Sequence, residues 1–477
     1  MCGVIGIIGD KPVSRLIYHA LISLQHRGQS SAGKLTYDGN VHLHKDYGLV
    51  RDVFNEERKI DTPGNIGIGH TRYSTAGMDD IESLKRNAQP EYVINPFLAA
   101  AHNGNIYNGA EIRKLTKRTP RTECDIQWLL LPMADQLYGK RIDPDVIFEA
   151  AENVMPLVKG SYSAVFVTDS GENPLLFAMT DPHKIRPLVL GERDGMYCIC
   201  SETRVFKKIK FNYIKDIPGG SVVVIDTEGN IYEKQIIKKK EYPCMFEFVY
   251  FAKPDSRIKG RSVHDVRVEI GRRLAQEAPV DADIVVPVPE SGRRYALGFS
   301  RESGIPIDEG IMKDKYERSF IQQTQDQRDK IVEEGISFIR AVLEGKRVVI
   351  IDDSIVRGTN MRRLVKGVRE AGAKEVHVRI GCPPLIAPCY LGIDMRSKKE
   401  FIARRKDGSI KSWDEIAKEI GADSLAYISM ESLIDAIGFD VCTGCINFPD
   451  GYPEEMREDA IKLFSRDSHI RRAYEIA

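Results

Sequence analysis

The chain has 477 residues, 42% of them hydrophobic and 29% charged, so its size predicts two or three globular domains rather than a disordered or fibrous protein. Lys and Arg total 69, as do Asp and Glu, and this zero formal charge argues against nucleic acid or an anionic membrane as a partner. No apolar run approaches the ~20 residues that span a bilayer, and the polar residues from Gly9 onward argue against a secretory leader. We therefore expect a cytoplasmic protein.

The nine cysteines are an odd number in a chain without a leader, which argues against a disulfide framework. Four of them are typical packing thiols: Cys124, Cys198, Cys200 and Cys382. The other five stand in contexts that indicate chemistry: Cys2, Cys244, Cys389, Cys442 and Cys445.

In the amino-terminal half, short β-rich runs alternate with turn signals from Cys2 to about Val224. Only two or three helical stretches interrupt them, notably Val13 to Gln25 and Asp125 to Leu137. Many strands with few crossover helices predict an α+β sandwich of antiparallel sheets between helices. The turn at Pro218 to Gly220 and the charged run Glu233 to Glu241 mark a junction, so we predict domains over residues 2–235 and 236–477.

The carboxyl-terminal half follows a different pattern, in which near-continuous apolar β runs alternate with amphipathic helical segments. The runs are ADIVVPVPE, IPIDEGI, KRVVIIDDS and KEVHVRIG, and such sequences are typical of buried parallel strands. Met361 to Glu370 is one helical segment, with Leu364, Val365 and Val368 on one face and Gly372 as its expected stop. This half is predicted to be a doubly wound α/β domain with a parallel sheet.

Cys2 is a candidate nucleophile because Met1 is removed when the next side chain is small, which leaves a thiol and a free α-amine on one residue. An amine with a pKa near 8 is partly neutral in the cell and accepts the thiol proton, so no catalytic His is needed. The apolar run GVIGIIG behind Cys2 predicts a strand that holds the reacting terminus in place.

Three further segments supply what the hydrolysis of an amide requires. Arg72, in the run from His70 to Thr75, offers a guanidinium to a substrate carboxylate. Asn103 and Gly104, in His-Asn-Gly-Asn after an apolar strand, offer two N–H donors to a developing oxyanion. The polar turn Leu24 to Gln29 ends the first helix and is placed to cover the site. Taken singly, each segment could equally be a loop that satisfies its own backbone.

Together these segments resemble the class II glutamine amidotransferases, whose glutaminase domain carries them in this order. The resemblance implies an N-terminal-nucleophile fold in which Cys2 attacks glutamine. It also implies a set of glutamine-binding residues: Arg27, Arg72, Asn103, Gly104 and Glu123. The family usually has Asp in a Ser-Asp-Thr-Glu run that holds the α-amine, whereas this chain has Glu123 in Thr-Glu-Cys-Asp, and it has Lys184 where the family generally has Gly.

A second site is predicted at the end of the strand Arg347 to Ile351, where Asp352 and Asp353 precede a short Gly-containing loop and a helix. Ligands bind at this edge of a parallel sheet, the loop and helix N-terminus suit a phosphate, and the two carboxylates suit ribose hydroxyls and Mg²⁺. A plain strand cap is the alternative for two acids alone. The whole pattern resembles the phosphoribosyl pyrophosphate (PRPP) loop of type I phosphoribosyltransferases. The resemblance implies that Ser291 binds Mg²⁺ together with Asp352 and Asp353. It also implies a set of PRPP-binding residues: Asp352, Asp353, Ser354, Ile355, Val356, Arg357, Gly358 and Thr359.

The two halves together resemble the glutamine PRPP amidotransferase family, which starts purine synthesis. The resemblance implies that glutamine, PRPP and water give 5-phosphoribosylamine, pyrophosphate and glutamate. It further implies a flap from Tyr316 to Arg328 that closes over PRPP, feedback inhibition by purine nucleotides, and a homotetramer or dimer. One departure is that Gly335-Ile336-Ser337 stands where the family has Lys-Leu-Asn, so Lys330 or another cation would have to replace that Lys.

Cys442-Thr443-Gly444-Cys445 is a CxxC motif, which by itself suits redox chemistry, a metal or neither. One subgroup of the same family holds a [4Fe–4S] cluster through four cysteines in positions that this chain fills with Cys244, Cys389, Cys442 and Cys445. Four thiolates suit such a cluster or a tetrahedral zinc, and the resemblance favours iron and sulfur.

Two other functions compete with a working synthase. The departures at Gly335, Glu123 and Lys184 suit a diverged paralogue that binds PRPP or a nucleotide and regulates without turnover. A glutaminase that feeds a sugar phosphate is disfavoured, because such enzymes carry sugar-isomerase domains rather than a PRPP loop.

Overall fold

The computed structural model describes residues 1–73, 80–169, 171, 173–313, 335–395 and 397–466. None of the helices in these ranges combines the length and the apolar character needed to cross a bilayer. The amino-terminal half contains two antiparallel sheets that pack face to face, and the carboxyl-terminal half contains a parallel sheet, so the predicted change of architecture between the halves is confirmed.

The first sheet has seven strands, and the amino-terminal strand lies near its centre. Central placement fixes the residues next to Cys2, because this strand bonds to a neighbour on each side. In spatial order the strands are Asn212–Asp216, Val189–Arg193, Met196–Cys200, Gly3–Ile8, Ile66–Arg72, Ser31–Tyr37 and Val41–Tyr47.

The second sheet has six strands, and its inner face packs against the first through side chains such as Val4, Ile68, Ala101 and Val165. These residues alternate along their strands with residues that face the outer helices. In spatial order the strands are Ile231–Gln235, Ser221–Ile225, Pro174–Thr180, Gly160–Asp169, Leu98–Ile106 and Glu91–Val93.

Helices cover the outer faces of both sheets, which gives four layers. Ser14–Leu24 packs on the first sheet through Ile17 and Leu21, and Gln127–Leu137 with Pro144–Val154 packs on the second. The helices predicted at Val13 to Gln25 and Asp125 to Leu137 are thus present, but Pro144–Val154 was missed, although Asp143 caps it and Pro144 stands at its first turn. The remaining helices are short: Val50–Val53, Glu57–Ile60, Ile81–Arg86, Gly109–Arg113 and Arg204–Ile209, with 3₁₀ turns at Gln25–Arg27 and Met155–Leu157.

The carboxyl-terminal sheet is parallel, in the order Ile284–Pro287, Arg347–Asp352, Glu375–Ile380 and Ser424–Tyr427. Alternate strand residues face two separate clusters, so helices cover both faces, as a doubly wound fold requires. Val263–Glu277 and Arg293–Ser303 cover one face, and Thr359–Glu370 and Trp413–Ile420 cover the other. Further elements are Met430–Ile437, Glu454–Arg466, Arg340–Leu343, a π-helix at Glu247–Phe251, a 3₁₀ turn at Lys398–Glu400 and the pair Arg257–Ile258 with Arg261–Ser262.

The run IPIDEGI was expected to be a buried strand of this parallel sheet; it lies parallel to the edge strand at Val285 but joins the sheet through one residue only. Ile307 makes a single bridge to Val285, while Ile311–Lys313 pairs with Ile336–Phe338 in a separate two-stranded antiparallel sheet. The physical reason is that residues 306–309 are exposed and include Asp308 and Glu309, whose charges do not suit a buried strand. Ser424–Tyr427 is the fourth strand instead.

The largest apolar cluster belongs to the carboxyl-terminal half but also contains Met1, Tyr107 and Ile185 from the amino-terminal half. The two halves therefore share a buried contact, which brings the amino terminus close to the loops that carry Cys244 and Cys389. Met1, the residue before Cys2, is thus packed among side chains of the carboxyl-terminal half.

Candidate active sites

Cys2 lies at the start of the central strand and is only 4% exposed. Its backbone N–H donates to Asn103 Oδ1 at 2.9 Å, and its Sγ lies 3.4 Å from the backbone nitrogen of Tyr73, which donates to it. The residue is therefore fixed by contacts to two neighbouring segments of the glutaminase half, which suits a group that has to meet its substrate in one orientation.

Arg27 lies beneath Cys2 rather than over it. It is fully buried, its Nε donates to the Cys2 carbonyl oxygen at 2.9 Å, and its Nη atoms bond to Glu202 at 2.6 Å and to both oxygens of Glu247 at 2.6 and 3.0 Å. Burial alone would lower the pKa of Arg27, but Glu247 and Glu202 outweigh it and raise that pKa. Here Arg27 positions Cys2, while its predicted contact with glutamine stays a prediction.

Glu202 and Glu247 were missed by sequence reasoning, although one signal was available. Glu247 is a single acid in the apolar run Met245 to Phe251, and an acid in such a run indicates a buried partner of opposite charge. Glu247 belongs to the π-helix of the carboxyl-terminal half, so its bond to Arg27 is a link between the halves.

Asn103 and Gly104 lie in the strand Leu98–Ile106 at the place where an oxyanion hole was predicted. Asn103 is fully buried, its Oδ1 accepts from Cys2, and its Nδ2 has no hydrogen-bond partner among the described residues. A buried donor without a partner is costly, and a ligand oxygen would satisfy it. Gly104 has to be glycine because a Cβ there would lie 2.0 Å from the carbonyl oxygen of Ser161.

His102 connects the strand Leu98–Ile106 to neighbouring segments through hydrogen bonds. Its Nε2 lies 3.1 Å from Asp125 Oδ2, its backbone N–H donates to Gln89 Oε1 at 2.8 Å, and its carbonyl lies 3.0 Å from His70 Nε2. Burial opposes ionisation of Asp125, but His102 and, more weakly, Arg72 keep the pKa of this carboxyl below its ordinary value. Arg72 is itself buried at the end of the strand Ile66–Arg72, next to the Cys2 segment.

Glu123 is the predicted ligand of the glutamine α-amine, and the structure places its carboxylate at the surface. The side chain is 60% exposed and lies 3.8 Å from Arg86, while its backbone N–H donates to Asn87. The buried acid of the same run is Asp125. Binding of the amine by Glu123 stays a prediction.

Asp352 and Asp353 lie at the carboxyl end of the strand Arg347–Asp352, as predicted. The backbone N–H of Asp353 and the Oγ of Ser291 donate to Asp352 Oδ1 at 2.8 and 3.2 Å, and the Ser354 hydroxyl donates to Asp353 at 2.5 Å. Burial, together with the neighbouring Asp353, raises the pKa of Asp352 well above its ordinary value. A buried carboxyl whose charge is disfavoured in this way is suited to a cation or to hydroxyl donors.

The loop from Ser354 to Gly358 leads into the helix Thr359–Glu370, which presents its N-terminus at this edge of the sheet. Gly358 has φ of 75°, a conformation that favours glycine, and a Cβ there would collide with Ile402 at 2.2 Å. Ile355 is buried in the core and Arg357 pairs with Glu400 at 2.6 Å, so the groups that the loop presents to a phosphate are mainly backbone N–H groups.

The four predicted cluster cysteines are buried and occur as free thiols. Cys244 forms a backbone bridge with Cys442, and the Cys445 carbonyl accepts from Ile386, three residues before Cys389. Burial, with Cys389 among the nearby thiols, raises the pKa of Cys244 to about 11, whereas Arg186 opposes the rise. Arg186 is fully buried, and its Nε and Nη1 have no partner among the described residues.

Within the described ranges, no three His, Cys, Asp or Glu side chains are arranged as a ready site for a metal ion. The four cysteines nevertheless offer the donors that a thiolate-bound group requires. The buried guanidinium of Arg186 is beside them, and its two nitrogens without a partner in the described part of the chain suit a negative charge.

Several predictions fall outside the described residues or on departures from the family pattern. The flap from Tyr316 to Arg328, with Lys330, lies outside the described residues, as do Ser74 and Thr75.

Lys184 has φ of 54°, in the left-handed region that glycine adopts at little cost, which explains why Gly is usual there. Its buried Nζ donates to the Leu188 carbonyl at 3.0 Å.

Two family models match the chain, a glutamine amidotransferase domain over residues 74–208 and a phosphoribosyl transferase domain over residues 263–387. Fold and sites together define a glutamine amidotransferase joined to a phosphoribosyltransferase domain. An amidophosphoribosyltransferase of Methanocaldococcus jannaschii is 42% identical, over 97% of this chain and 99% of that protein. One from Synechocystis is 40% identical, over 97% and 93%. The chain therefore belongs to the amidophosphoribosyltransferase family and is a glutamine-dependent pentosyltransferase.

Solved structures agree over nearly the whole chain. The glutamine PRPP amidotransferase of Bacillus subtilis, complexed with ADP and GMP, is 36% identical with a TM-score of 0.83 and covers 95% of this chain and 98% of its own. A second structure, described as the allosteric regulatory enzyme of purine biosynthesis, is 35% identical with a TM-score of 0.84 and covers 98% of this chain and all of its own. Both support the α+β and α/β assignment of the two halves.

Proposed function

We propose that this amidophosphoribosyltransferase releases ammonia from glutamine at Cys2 and joins it to PRPP at the Asp352 loop. Glutamine, PRPP and water would give glutamate, 5-phosphoribosylamine and pyrophosphate. The observation that carries the proposal is the contact between Cys2 and Asn103. The backbone nitrogen of Cys2 is bonded to Oδ1, and Nδ2 of the same amide, which has no partner among the described residues, is available to a substrate oxygen.

The first half-reaction follows from these contacts once Met1 has been removed. The Cys2 nitrogen is then a primary amine that accepts the thiol proton, and the thiolate attacks the carboxamide carbon of glutamine. Asn103 Nδ2 and the Gly104 N–H stabilise the oxyanion, the C–N bond breaks, and ammonia leaves with the proton from the amine. Water then cleaves the thioester and releases glutamate. Arg72 would hold the substrate α-carboxylate.

In the second half-reaction, the loop from Ser354 to Thr359 would bind the 5-phosphate of PRPP through backbone N–H groups and the helix N-terminus. Ammonia displaces pyrophosphate at the anomeric carbon, and the nitrogen loses a proton to give the neutral amine. Asp352 and Asp353, with Ser291, would hold Mg²⁺, which neutralises charge on the leaving pyrophosphate. The raised pKa of Asp352 fits this role, because a bound cation would stabilise the charged carboxylate that burial and the neighbouring Asp353 disfavour.

Turnover by the anaerobically purified protein tests the whole proposal. With glutamine, Mg²⁺ and PRPP, glutamate and pyrophosphate should appear in equal amounts, whereas glutamate without pyrophosphate would reject the coupled reaction. The regulatory alternative, suggested by the surface position of Glu123, requires binding of PRPP or nucleotide without either product. Intact mass should show that Met1 is absent, since glutamine hydrolysis at full rate by chains that retain Met1 would exclude the amine as base.

Replacement of Cys2 separates the two sites. Cys2→Ser should lower glutamine-dependent synthesis by roughly 10⁴- to 10⁶-fold, because the nucleophile is lost, while synthesis from ammonium salts and PRPP stays near the parent rate. Cys198→Ser, which replaces a buried thiol of the same sheet, is the matched control and should retain both activities. Equal loss of both activities in the Cys2 variant would contradict separate sites.

We further propose that Cys244, Cys389, Cys442 and Cys445 hold a [4Fe–4S] cluster. Their burial and the backbone bridge between Cys244 and Cys442 support this, as do the N–H groups of Arg186 that have no partner in the described ranges. Iron and sulfide analysis with native mass under anaerobic conditions should give four of each per chain. Cys442→Ser should lose iron and Cys382→Ser should keep it, whereas zinc at one per chain would contradict the assignment.

Purine nucleotides are the feedback ligands that we propose, because the B. subtilis neighbour was solved with ADP and GMP. Inhibition by these two nucleotides, alone and together, in the coupled assay checks this, and rates unchanged at millimolar concentration would reject it. The same native mass spectra would report whether the chain is the tetramer or dimer expected of its family.

A further inference from the structure

The segment Tyr390–Gly392 of the carboxyl-terminal half contacts the strand that carries Asn103 and Gly104. Asn105 Nδ2 donates to the Tyr390 carbonyl oxygen at 2.9 Å. Ser161 Oγ donates to the Leu391 carbonyl oxygen at 2.8 Å. All four residues of these two bonds are buried, so the bonds do not compete with solvent.

The two donors are direct neighbours in the sheet, since Asn105 pairs with Ser161 across the strands Leu98–Ile106 and Gly160–Asp169. Asn103 and Asn105 are two residues apart on one strand and therefore project from the same face. One amide faces Cys2 and the other faces the incoming segment. A shift of this segment would thus act on the strand at the position next to Gly104.

Gly392 makes the approach possible. It has φ of 101°, and a Cβ there would lie 2.8 Å from the Gly104 carbonyl oxygen and 2.9 Å from its carbonyl carbon. The nearest atoms of this contact are backbone atoms, which cannot rotate away as a flexible side chain can. Arg186 adds a third donor by bonding to the Leu391 carbonyl through Nη2.

We infer that the Tyr390–Gly392 segment is a positioning element for the oxyanion strand, so that glutamine hydrolysis requires a close fit of the carboxyl-terminal half. The inference rests on the proposed role of Asn103 and Gly104 as the oxyanion hole. Gly392, Ser161 and Asn105 touch no reacting atom and act through the strand. Oxyanion donors bind the transition state more strongly than the substrate, so a displaced strand should lower kcat and leave KM for glutamine unchanged.

Gly392→Ala tests the inference in the anaerobic full-length protein. We expect kcat for glutamine hydrolysis to fall about 10- to 100-fold with KM for glutamine unchanged, because small displacements of catalytic groups are costly. Synthesis from ammonium and PRPP should stay within about twofold of the parent rate. Gly260→Ala is the matched control, because Gly260 also has a positive φ of 75° but a Cβ there meets nothing within 4 Å.

Gly392 is close in sequence to Cys389, so Gly392→Ala could fold poorly or lose iron. Ser161→Ala is a second variant that tests the same inference. It removes one neutral hydrogen bond from the glutaminase side, so kcat for glutamine should fall about 2- to 10-fold with the same KM and the same iron content. Unchanged hydrolysis in both variants, or an equal fall of the ammonium-dependent rate, would overturn the inference.

Asn103→Ala, assayed in parallel, distinguishes this failure from failure of the proposed site. Parent-like glutamine hydrolysis by Asn103→Ala would reject the oxyanion hole itself, and the inference with it. A strong loss in Asn103→Ala beside parent-like rates in Gly392→Ala and Ser161→Ala would reject the positioning element alone.

Discussion

The two candidate sites differ in how far their functional groups are buried and fixed by hydrogen bonds within the protein. At the glutaminase site Cys2, Arg27 and Asn103 are all buried, and their partners come from both halves of the chain. At the phosphoribosyl site Asp353 is buried as well, but the loop that follows it lies at the edge of a sheet, where the Arg357 side chain is 58% exposed.

This difference reflects the chemistry proposed for each site. Amide hydrolysis depends on a fixed thiol and fixed donors, which buried hydrogen bonds provide. A large polyanion has to enter the other site, and it brings oxygens that complete the coordination of Mg²⁺. A fixed site should respond to mutation through its supporting contacts, whereas an open site should respond mainly through its direct ligands.

Of the substitutions that test this comparison, those of the two aspartates should lower activity most. Asp353→Asn and Asp352→Asn should each lower PRPP-dependent synthesis about 10²- to 10³-fold, as loss of a key electrostatic group does elsewhere. Glutamine hydrolysis without PRPP should be unaffected. Asp308→Asn, an exposed acid of the same half, is the control. Steady-state rates with glutamine and with ammonium report the split, and equal loss of basal hydrolysis would break the comparison.

Asp352→Asn should also raise the free energy of unfolding of the protein. Because burial and Asp353 raise the pKa of Asp352, the native state holds its proton more tightly than the unfolded chain, and stability is lost as pH rises through the native pKa. Asp352→Asn removes that loss, so its free energy of unfolding should exceed that of the parent by about 1 kcal/mol at pH 7. The difference should vanish near pH 3, which thermal melts at both pH values would show.

At the buried site, loss of a supporting charge should matter most. Glu247→Gln leaves Arg27 buried with a single carboxylate partner, and breaking such a pair costs about 3–5 kcal/mol of unfolding free energy. Denaturant unfolding with a Glu269→Gln control, which removes a more exposed pair, measures the difference. A loss below about 1 kcal/mol, the range of surface pairs, would show that the ion pairs of Arg27 with Glu202 and Glu247 contribute little to stability.

The ion pair of Arg27 with Glu202 predicts that the parent protein loses stability in acid. Burial opposes ionisation of Glu202, but His26 and Arg27 outweigh it and lower its pKa. A depressed native pKa contributes stability above the ordinary carboxyl pKa, and that stability is lost as pH falls through the native value. The parent should therefore lose stability below about pH 4, where unfolded carboxylates begin to bind protons.

Glu123→Gln tests the one glutamine ligand that the structure places at the surface. If Glu123 holds the substrate amine, KM for glutamine should rise about tenfold while kcat stays constant, since the contact is equal in ground and transition states. Glu82→Gln, another exposed acid nearby, should leave both constants unchanged. An unchanged KM would direct attention to the buried Asp125.

The smallest effect is expected at Lys184. Lys184→Gly relieves a left-handed backbone and should raise the free energy of unfolding by about 1 kcal/mol at pH 7. Burial lowers the pKa of Lys184 to about 8, so the parent gains stability as pH rises from 8 to 10, and the advantage of the variant should shrink over that range. Lys210→Gly, with φ of 61° at an exposed position, should show no such pH dependence.

The local motifs were readable from the sequence because short segments carry their chemistry with them. Cys2 precedes an apolar strand, and Asp352 and Asp353 follow one, so their positions at strand ends required only local pattern. Charge and periodicity also separated the antiparallel half from the parallel half. Where local pattern was ambiguous, as in IPIDEGI, the expected buried strand is reduced to one exposed bridge at the edge of the sheet, because solvent exposure is decided by the neighbours that pack on a segment.

Only the tertiary structure decided which distant groups meet. That Arg27 lies beneath Cys2 depends on Glu202 and Glu247, which are far apart in sequence and become one triad through burial. The contact of Gly392 with Gly104 joins residues of different halves, and the surface position of Glu123 depends on how its loop packs. Sequence order specifies strands, turns and motifs through short-range sterics and periodicity, whereas partners across the core are selected by packing and by the cost of an unpaired buried charge.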